Sequence, residues 1–312
     1  MQFFMLFAGL AGLWAGTQLT IRGAVSIAER LMVPEFVIGV VILSIGSDLP
    51  ELAIAIDAAI KNLHSGQASD VVVGSALGSS LGQFGLVLGV MGLISTLLLK
   101  RQIVVQQGFA LLASIVLLGT FASDSEVSRI DGIVLVTVYV LYLAVIGYRV
   151  ANYAKTRRKR SPSRVGVHAA YLVAGLLLVT VGAEVTVASA VQVAEILEVE
   201  QALIAILVLG LGTSVPELAI SIGAILKKKT MLSVGNLIGS NVFDTLVPIG
   251  VAAIIAPLEF NVHMLRQELP VLFGLTVLIL LFFLGSRGIR RPQAGVILGL
   301  YFVYVAAKVL GA

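Results

Sequence analysis

Apolar stretches long enough to cross a membrane recur along the whole sequence, with little polar chain between them. Crossing a hydrocarbon core of about 30 Å takes roughly 20 helical residues. Hydrophobic residues make up 58% of the chain and charged residues 12%, with a mean hydropathy of +1.05, which excludes a soluble core. We predict ten transmembrane helices, at residues 2–27, 34–60, 71–98, 103–122, 130–150, 166–195, 201–226, 231–256, 269–285 and 293–310.

The apolar stretches do not show the pattern of a membrane β-barrel. Barrel strands are segments of about 10 residues in which polar and apolar side chains alternate. Runs such as Leu172–Val181 and Val271–Leu284 are apolar throughout. The predicted fold class is therefore an all-α integral membrane protein.

The basic residues predict the orientation of the chain. If the N-terminus lies outside, 17 of the 21 Lys and Arg residues fall on the inner face, as the positive-inside rule requires. Seven of them lie between Arg149 and Arg164. We therefore expect a multi-pass protein of the plasma membrane with both termini outside and a cytoplasmic linker at residues 151–165. Because the positive charge is explained by topology, we expect no nucleic-acid partner.

The linker separates two similar halves, 1–150 and 166–312, with five predicted helices each. The segment Gly46–Lys61 matches Gly212–Lys227 without a gap, and nine of the 16 positions are identical. Five crossings is an odd number, so the second half must enter the membrane from the opposite side. The sequence therefore predicts two inverted five-helix repeats. In secondary transporters such repeats place the ion site near the membrane midplane, here between helices 2, 3, 7 and 8.

Each copy of this motif places a proline and a glutamate inside a predicted span. Pro50 and Pro216 lack a backbone N–H and clash with the preceding turn, so the helix should open there. The next residues, Glu51 and Glu217, are carboxylates at membrane depth, which cost about 2.5–3.5 kcal/mol each on insertion scales. Free carbonyls beside carboxylates form an oxygen-rich site of the kind that Ca²⁺ and Na⁺ require.

A second pair of matching segments follows, Gly74–Gln83 and Gly235–Asp244. A spacing of four residues places Ser79 with Gln83, and Ser240 with Asp244, on one helical face. The glycines of both segments predict close packing against a neighbouring helix and are interpreted as scaffold. They are Gly74, Gly78, Gly82, Gly235 and Gly239.

These motifs resemble the Ca²⁺/cation antiporter superfamily, specifically its prokaryotic sodium/calcium exchanger type. Gly212–Glu217 is similar to the Gly-Thr-Ser-x-Pro-Glu motif of that family, and Gly235–Asp244 to its second signature. The resemblance implies exchange of Ca²⁺ for Na⁺ by alternating access within a ten-helix core. It implies Glu51 and Glu217 as central Ca²⁺ ligands, Asp244 and Gln83 as flanking partners, and Ser47, Asp48, Ser79, Thr213, Ser214 and Ser240 as Na⁺-site oxygens.

The first half departs from the family pattern at positions that matter for coupling. Asp48 stands where the family has Ser, and Gln83 where it has Asn or Asp. We hypothesise that the Asp48–Glu51 pair accepts protons or changes the number of Na⁺ ions exchanged. The alternative is that Asp48 replaces a charge that Gln83 lacks. A proton-coupled or K⁺-dependent antiporter is therefore the second functional interpretation.

Two other classes fit the sequence less well. A cation channel could use acidic residues and free carbonyls, but an inverted repeat favours alternating access. An intramembrane hydrolase needs a base beside its nucleophile, and no histidine lies near the motifs. We therefore expect a transporter that is not an enzyme and has no cofactor. The expected partners are Ca²⁺, Na⁺ and membrane lipid, with no obligatory protein partner.

Overall fold

The apolar stretches form helices, and only two short strands accompany them in the described chain. The structure is a computed structural model that describes residues 2–65, 69–155, 165–197, 214–259, 262–286 and 288–310. Thr213 and residues 156–164 of the predicted linker lie outside these ranges. The helices of the first half are α1 (Gln2–Leu31), α2 (Glu35–Ile38), the π-helix π1 (Gly39–Leu43), α3 (Ser44–Ser47), α4 (Leu49–Ser65), α5 (Ser69–Gly82), the π-helix π2 (Gln83–Val87), α6 (Leu88–Ile94), α7 (Arg101–Phe121), a 3₁₀ turn (Ala122–Asp124) and α8 (Arg129–Lys155).

The second half is described from α9 onward. Its helices are α9 (Val165–Ile196), α10 (Val215–Leu226), α11 (Thr230–Ile255), α12 (Val262–Gly285) and α13 (Arg291–Leu310). The α10–α11 turn consists of Lys227–Lys229, with Lys228 in the left-handed conformation at φ 60°. Strands β1 (Glu126–Val127) and β2 (Leu258–Glu259) pair antiparallel and tie the end of α11 to the start of α8.

Within the described residues, eight helical segments are long and apolar enough to cross a membrane. A ninth span is broken, since Glu35–Ser47 and Leu49–Leu63 meet at an angle of 42°. The predicted span 201–226 is described only from residue 214, as α10. The chain is therefore an all-helical membrane protein with eight or nine apolar spans in its described part.

Helix α11 lies at the centre of the molecule, and most of its residues are buried. It packs against α2, π1, α3, α4, α5, α7, α8 and α10. A methyl group at Gly235 would overlap the carbonyl oxygen of Phe36, and one at Gly239 would overlap that of Val40. Because only glycine permits this approach, the broken span α2–α4 lies directly against α11.

The glycine prediction is wrong at one position of the first half. A methyl group added at Gly78 in α5 would meet no atom within 4 Å. At Gly239 of α11, the backbone of the α2–α3 region comes close. No helix backbone comes similarly close to α5 at Gly78. The physical reason is that π1 supplies a closely packed partner for α11, whereas open space lies beside Gly78.

Helices α1 and α9 pack mainly against each other at the periphery. Gly16 of α1 lies against Val179 and Gly175 of α9, and Gly182 of α9 lies against Leu13. Large apolar side chains on their other faces are exposed, as expected for surfaces that meet lipid. These two helices therefore form a pair that touches the central helices over a limited part of its surface.

Candidate ion-binding site

The two proline motifs adopt the same local backbone conformation. Asp48 separates α3 from α4 with φ −94° and ψ 6°, and Ser214 precedes α10 with φ −100° and ψ 5°. The proline is the second residue of the helix that follows, where its missing N–H costs no intrahelical hydrogen bond. Each proline therefore lies at the start of a helix and not inside one.

Glu51 and Glu217 each lie in the first turn of the new helix. Glu51 is 5% exposed and Glu217 is fully buried. The first N–H groups of a helix have no intrahelical acceptor and carry partial positive charge, which stabilises an anion. That the two motifs bring these carboxylates together at one ion stays a prediction of the sequence.

Asp48 lies between the two motifs. Its Oδ1 accepts hydrogen bonds from the hydroxyls of Ser47, at 2.9 Å, and Ser240, at 3.0 Å. Its other oxygen, Oδ2, is buried without a hydrogen-bond donor. Asp48 therefore joins the first motif to α11 through Ser240.

The second pair of motif helices meets through Gln83 and Asp244. The side-chain nitrogen of Gln83 donates to Asp244 Oδ2 at 2.9 Å and to the Ser79 hydroxyl at 3.2 Å. The side-chain oxygen of Gln83 accepts a hydrogen bond from Asn241 at 2.8 Å. The predicted pairing of Ser79 with Gln83 on one face is thus present. Gln83 is held at both ends of its amide.

Four carboxyl groups are buried at this place: Asp48, Glu51, Glu217 and Asp244, here called the carboxylate cluster. Five of their eight oxygens have no hydrogen-bond donor in the protein, namely Asp48 Oδ2, Glu51 Oε2, Asp244 Oδ1 and both oxygens of Glu217. The ion pairs of the described residues involve other acidic residues, at Asp57, Glu35 and Glu268. Buried carboxylates without a basic partner require a cation or protons, and oxygen ligands of this kind fit Ca²⁺ and Na⁺.

The carboxyl groups alone do not form a closed metal site. Across the described ranges, no group of three or more acidic or histidine side chains is arranged to hold a metal ion. Their polar neighbours divide into one set around Asp48 and another around Asp244. An ion bound here would therefore also use hydroxyl or carbonyl oxygens, as hard cations commonly do.

The other predicted site residues have definite positions. Ser47, Ser79, Ser214 and Ser240 are buried beside the cluster's own residues, whereas Thr213 lies outside the described residues. Asn241 was not predicted, although it belongs to the second signature segment. Its position three residues before Asp244 was the available signal, because residues at that spacing are neighbours on a helix.

The π-helices π1 and π2 are further features that sequence reasoning missed. π1 directly precedes α3, and π2 begins at Gln83 itself. A π turn inserts one residue into an α-helix and is frequent at functional sites. In this structure both π-helices adjoin residues of the candidate site.

Comparison with known proteins gives consistent matches over nearly the whole chain. The profile of the sodium/calcium exchanger protein family matches residues 1–148 and 167–310. A membrane protein of Methanocaldococcus jannaschii is 31% identical over 308 residues, covering 97% of this chain and 96% of the relative. The sodium/calcium exchanger MaX1 of Methanosarcina acetivorans is 26% identical over 343 residues, covering 97% and 96%. A structure of the sodium-calcium exchanger NCX_Mj, soaked with zero Na⁺ and Ca²⁺, superposes with a TM-score of 0.82 at 28% identity and covers 98% of each chain.

Proposed function

The chain belongs to the sodium/calcium exchanger protein family and exchanges Ca²⁺ for Na⁺ across the membrane, and we propose that both ions bind at the carboxylate cluster. The observation that carries the proposal is the burial of four carboxyl groups with five free oxygens and no basic partner among the described residues. These groups come from α4, α10, α11 and the break before α4. A cation that enters the cluster supplies the charge that the surrounding protein lacks.

Glu51 and Glu217 are the proposed central Ca²⁺ ligands. Each is buried and lies in the first turn of its helix. Asp244 is the third carboxylate of the site. The hydroxyls of Ser47, Ser79, Ser214 and Ser240 supply neutral oxygens for Na⁺, and we extend this role to Thr213 on the basis of its place in the motif.

Gln83 and Asp48 have complementary roles in this proposal. Gln83 donates to Asp244 and accepts from Asn241, so it holds Asp244 in place instead of facing the ion with a free oxygen. Asp48 supplies the negative charge that an acidic residue at position 83 would bring. The hydrogen bond from the Ser240 hydroxyl to Asp48 supports this exchange of charge, because it places the Asp48 carboxylate against α11, the helix that carries Asp244.

The proposed architecture is two inverted five-helix repeats, 1–150 and 166–312, joined by a basic linker at 151–165. The similar backbone conformation of Asp48 and Ser214, each directly before a helix, supports the repeat. The family match omits 149–166, which coincides with the linker. From the distribution of Lys and Arg, we propose a plasma-membrane location with both termini outside and the linker and α10–α11 turn in the cytoplasm.

An empty carboxylate cluster explains why exchange is coupled. Four buried carboxyl groups without a cation repel one another, so the empty protein does not readily move its site between the two faces. Binding of Ca²⁺ or Na⁺ removes this penalty and permits the change. The α1–α9 pair, with its glycine contacts and limited contact with the central helices, is the proposed moving element.

A second candidate coupling ion is the proton, and the observation that favours it is the burial of Asp48 Oδ2 and both Glu217 oxygens without a hydrogen-bond donor. Protons on these carboxyl groups would balance charge when fewer Na⁺ ions are bound. In this version, Ca²⁺ release is accompanied by protonation of the cluster. K⁺ dependence is the remaining alternative, and the same experiment separates the three.

The test is ⁴⁵Ca²⁺ uptake by the purified chain in proteoliposomes with imposed Na⁺, K⁺ or H⁺ gradients. We expect an outward Na⁺ gradient to drive ⁴⁵Ca²⁺ uptake, and we expect little ⁴⁵Ca²⁺ uptake with a K⁺ or H⁺ gradient. Uptake that needs no exchangeable cation on the far side would indicate a channel. Uptake driven by an H⁺ gradient alone would favour the proton-coupled alternative.

A further inference from the structure

Two buried polar side chains next to the carboxylate cluster have no role in the proposed site. Ser221 in α10 and Asn236 in α11 are both 0% exposed. The hydroxyl of Ser221 and both polar atoms of the Asn236 amide lack a hydrogen-bond partner. Leaving such groups unpaired costs about 1–3 kcal/mol each, so an ion or a water molecule that pairs with them would be stabilised there.

The packing of α10 against α11 places both residues on the same side of the cluster. Ser221 lies one turn beyond Glu217, and Asn236 lies one turn before Ser240. The two helices run in opposite directions from the α10–α11 turn, and the Ser233 hydroxyl donates to the Ser221 carbonyl at 3.0 Å. Ser221 and Asn236 therefore lie between the carboxylate cluster and the α10–α11 turn.

Helical spacing also places these side chains on the faces that form the site. Glu217 and Ser221 are four residues apart in α10, so they lie on one face. In α11, Ser233, Asn236 and Ser240 share a face at spacings of three and four, and the Ser240 hydroxyl bonds to Asp48. A line of oxygen-bearing side chains thus leads from the cluster toward the turn.

We propose that Ser221 and Asn236 form a transit site for Na⁺ between the carboxylate cluster and the α10–α11 turn. The proposal rests on the exchange function proposed above, because it concerns how ions reach the cluster. The available ligands, a hydroxyl oxygen and an amide oxygen, are neutral. Sites for Ca²⁺ gain affinity from charged ligands, so this neutral pair suits the monovalent ion. The amide nitrogen of Asn236 donates to a water molecule that accompanies the ion.

The first test varies Na⁺ on one face at a time in proteoliposomes of the full-length chain. Asn236→Leu is expected to raise the Na⁺ concentration for half-maximal exchange about tenfold on the face of the α10–α11 turn, the effect of losing one ligand. The opposite face should be unchanged. Asn236→Asp keeps an oxygen ligand and adds charge, so it should lower that concentration on the turn face.

The matched control is Thr276→Val. Thr276 is also fully buried, but its hydroxyl donates to the Leu272 carbonyl at 2.7 Å, so it is already paired. Its variant should behave as the wild type on both faces. Equal shifts on the two faces for Asn236→Leu, or the same shift for Asn236→Leu and Asn236→Asp, would show a structural role and overturn the proposal.

A second measurement does not require that the protein with Asn236→Leu folds. The chain has no cysteine, so Ser221→Cys introduces a single, nearly isosteric thiol. A membrane-impermeant cationic thiol reagent should modify it from the turn face only, and Na⁺ should slow the reaction. The control is Ser114→Cys, since Ser114 is buried and bonded to the Leu111 carbonyl at 2.8 Å. Absence of modification at Ser221→Cys, or equal modification at both positions, would contradict the transit site.

These outcomes separate the transit site from the exchange function. A wild-type chain without Na⁺-driven Ca²⁺ uptake would remove the proposed function itself. Loss of uptake in Glu217→Gln together with unaltered Na⁺ dependence in Asn236→Leu would leave the carboxylate cluster intact and reject the transit site alone.

Discussion

The helices that follow the two proline motifs have nearly the same sequence but different surroundings. Ile54 in α4 is 45% exposed, whereas its counterpart Ile220 in α10 is fully buried. Asp57 in α4 pairs with Lys61 on an exposed surface, while the equivalent position in α10 is Gly223, packed against Thr17 of α1. The shared motif therefore determines where each helix starts and where its glutamate lies. The neighbouring helices determine which of the other side chains are buried.

The difference extends to the cluster itself. In the first copy, the residue before the helix is Asp48, which has several polar contacts. In the second copy it is Ser214, whose side chain makes no capping hydrogen bond. The first proline motif thus supplies two carboxylates to the cluster, Asp48 and Glu51, and the second proline motif supplies one, Glu217. The symmetry of the backbone does not extend to the distribution of charge, and the predictions below test this asymmetry.

The largest expected effect is the loss of Glu217. Both of its oxygens lack a donor, whereas Glu51 has one free oxygen. We therefore expect Glu217→Gln to reduce Na⁺-driven Ca²⁺ uptake by about 100-fold, equivalent to about 3 kcal/mol, and Glu51→Gln to reduce it less. Initial rates of ⁴⁵Ca²⁺ uptake measure both variants. A larger loss in Glu51→Gln than in Glu217→Gln would contradict the proposal that Glu217 contributes more to transport than Glu51.

The next effect concerns the exchange of charge between positions 48 and 83. Asp48→Ser makes the first copy resemble the second, and we expect about a tenfold change in the Na⁺ concentration for half-maximal exchange, with an altered pH dependence. Adding Gln83→Asp returns the negative charge to the cluster and should restore much of the Na⁺ dependence. The coupling between the two changes is read from a double-mutant cycle.

Two results would separate the explanations for Asp48. Unaltered Na⁺ and pH dependence in Asp48→Ser would exclude a role in coupling. Failure of Gln83→Asp to compensate would favour direct proton binding by Asp48 over a simple relocation of charge. Asn241→Ala serves as a control for the loss of the Gln83 contact alone.

A smaller effect is expected from the glycines at equivalent places in α5 and α11. Gly239→Ala would overlap the Val40 carbonyl, so it should lower the stability of the purified protein by about 1–3 kcal/mol. Gly78→Ala meets no atom within 4 Å and should be neutral or slightly stabilising. Thermal unfolding in detergent compares the two. Similar unfolding temperatures would contradict the close approach of π1 to α11.

Much of the fold could be predicted because a membrane leaves few alternatives. The spans follow from apolar length, and the meeting of the motifs follows from the repeat of proline and glutamate. Proline alone was insufficient, since Pro248 lies within α11 without ending it. The matched glutamates and glycines distinguished the two breaks from an ordinary proline in a helix.

The rest depended on contacts between helices. The segment Gly39–Leu43 is apolar throughout, so it has no hydrophobic periodicity from which an inserted π residue could be inferred. The hydrogen-bond partners of Gln83 could not be predicted for a similar reason. An amide can donate or accept, and only the positions of Asp244 and Asn241 decide which it does.

The smallest effect is expected at Asp57, the exposed acidic residue of α4. Its side chain is 64% exposed and pairs with Lys61 one turn away at 2.6 Å. Exposed pairs of this kind contribute about 0–1 kcal/mol. Asp57→Gly, which installs the residue found in α10, should therefore change ⁴⁵Ca²⁺ uptake by less than about twofold, with Lys61→Ala as the matched variant. A much larger loss would mean that ions pass along α4 close to Asp57 and that the charge of Asp57 takes part in transport.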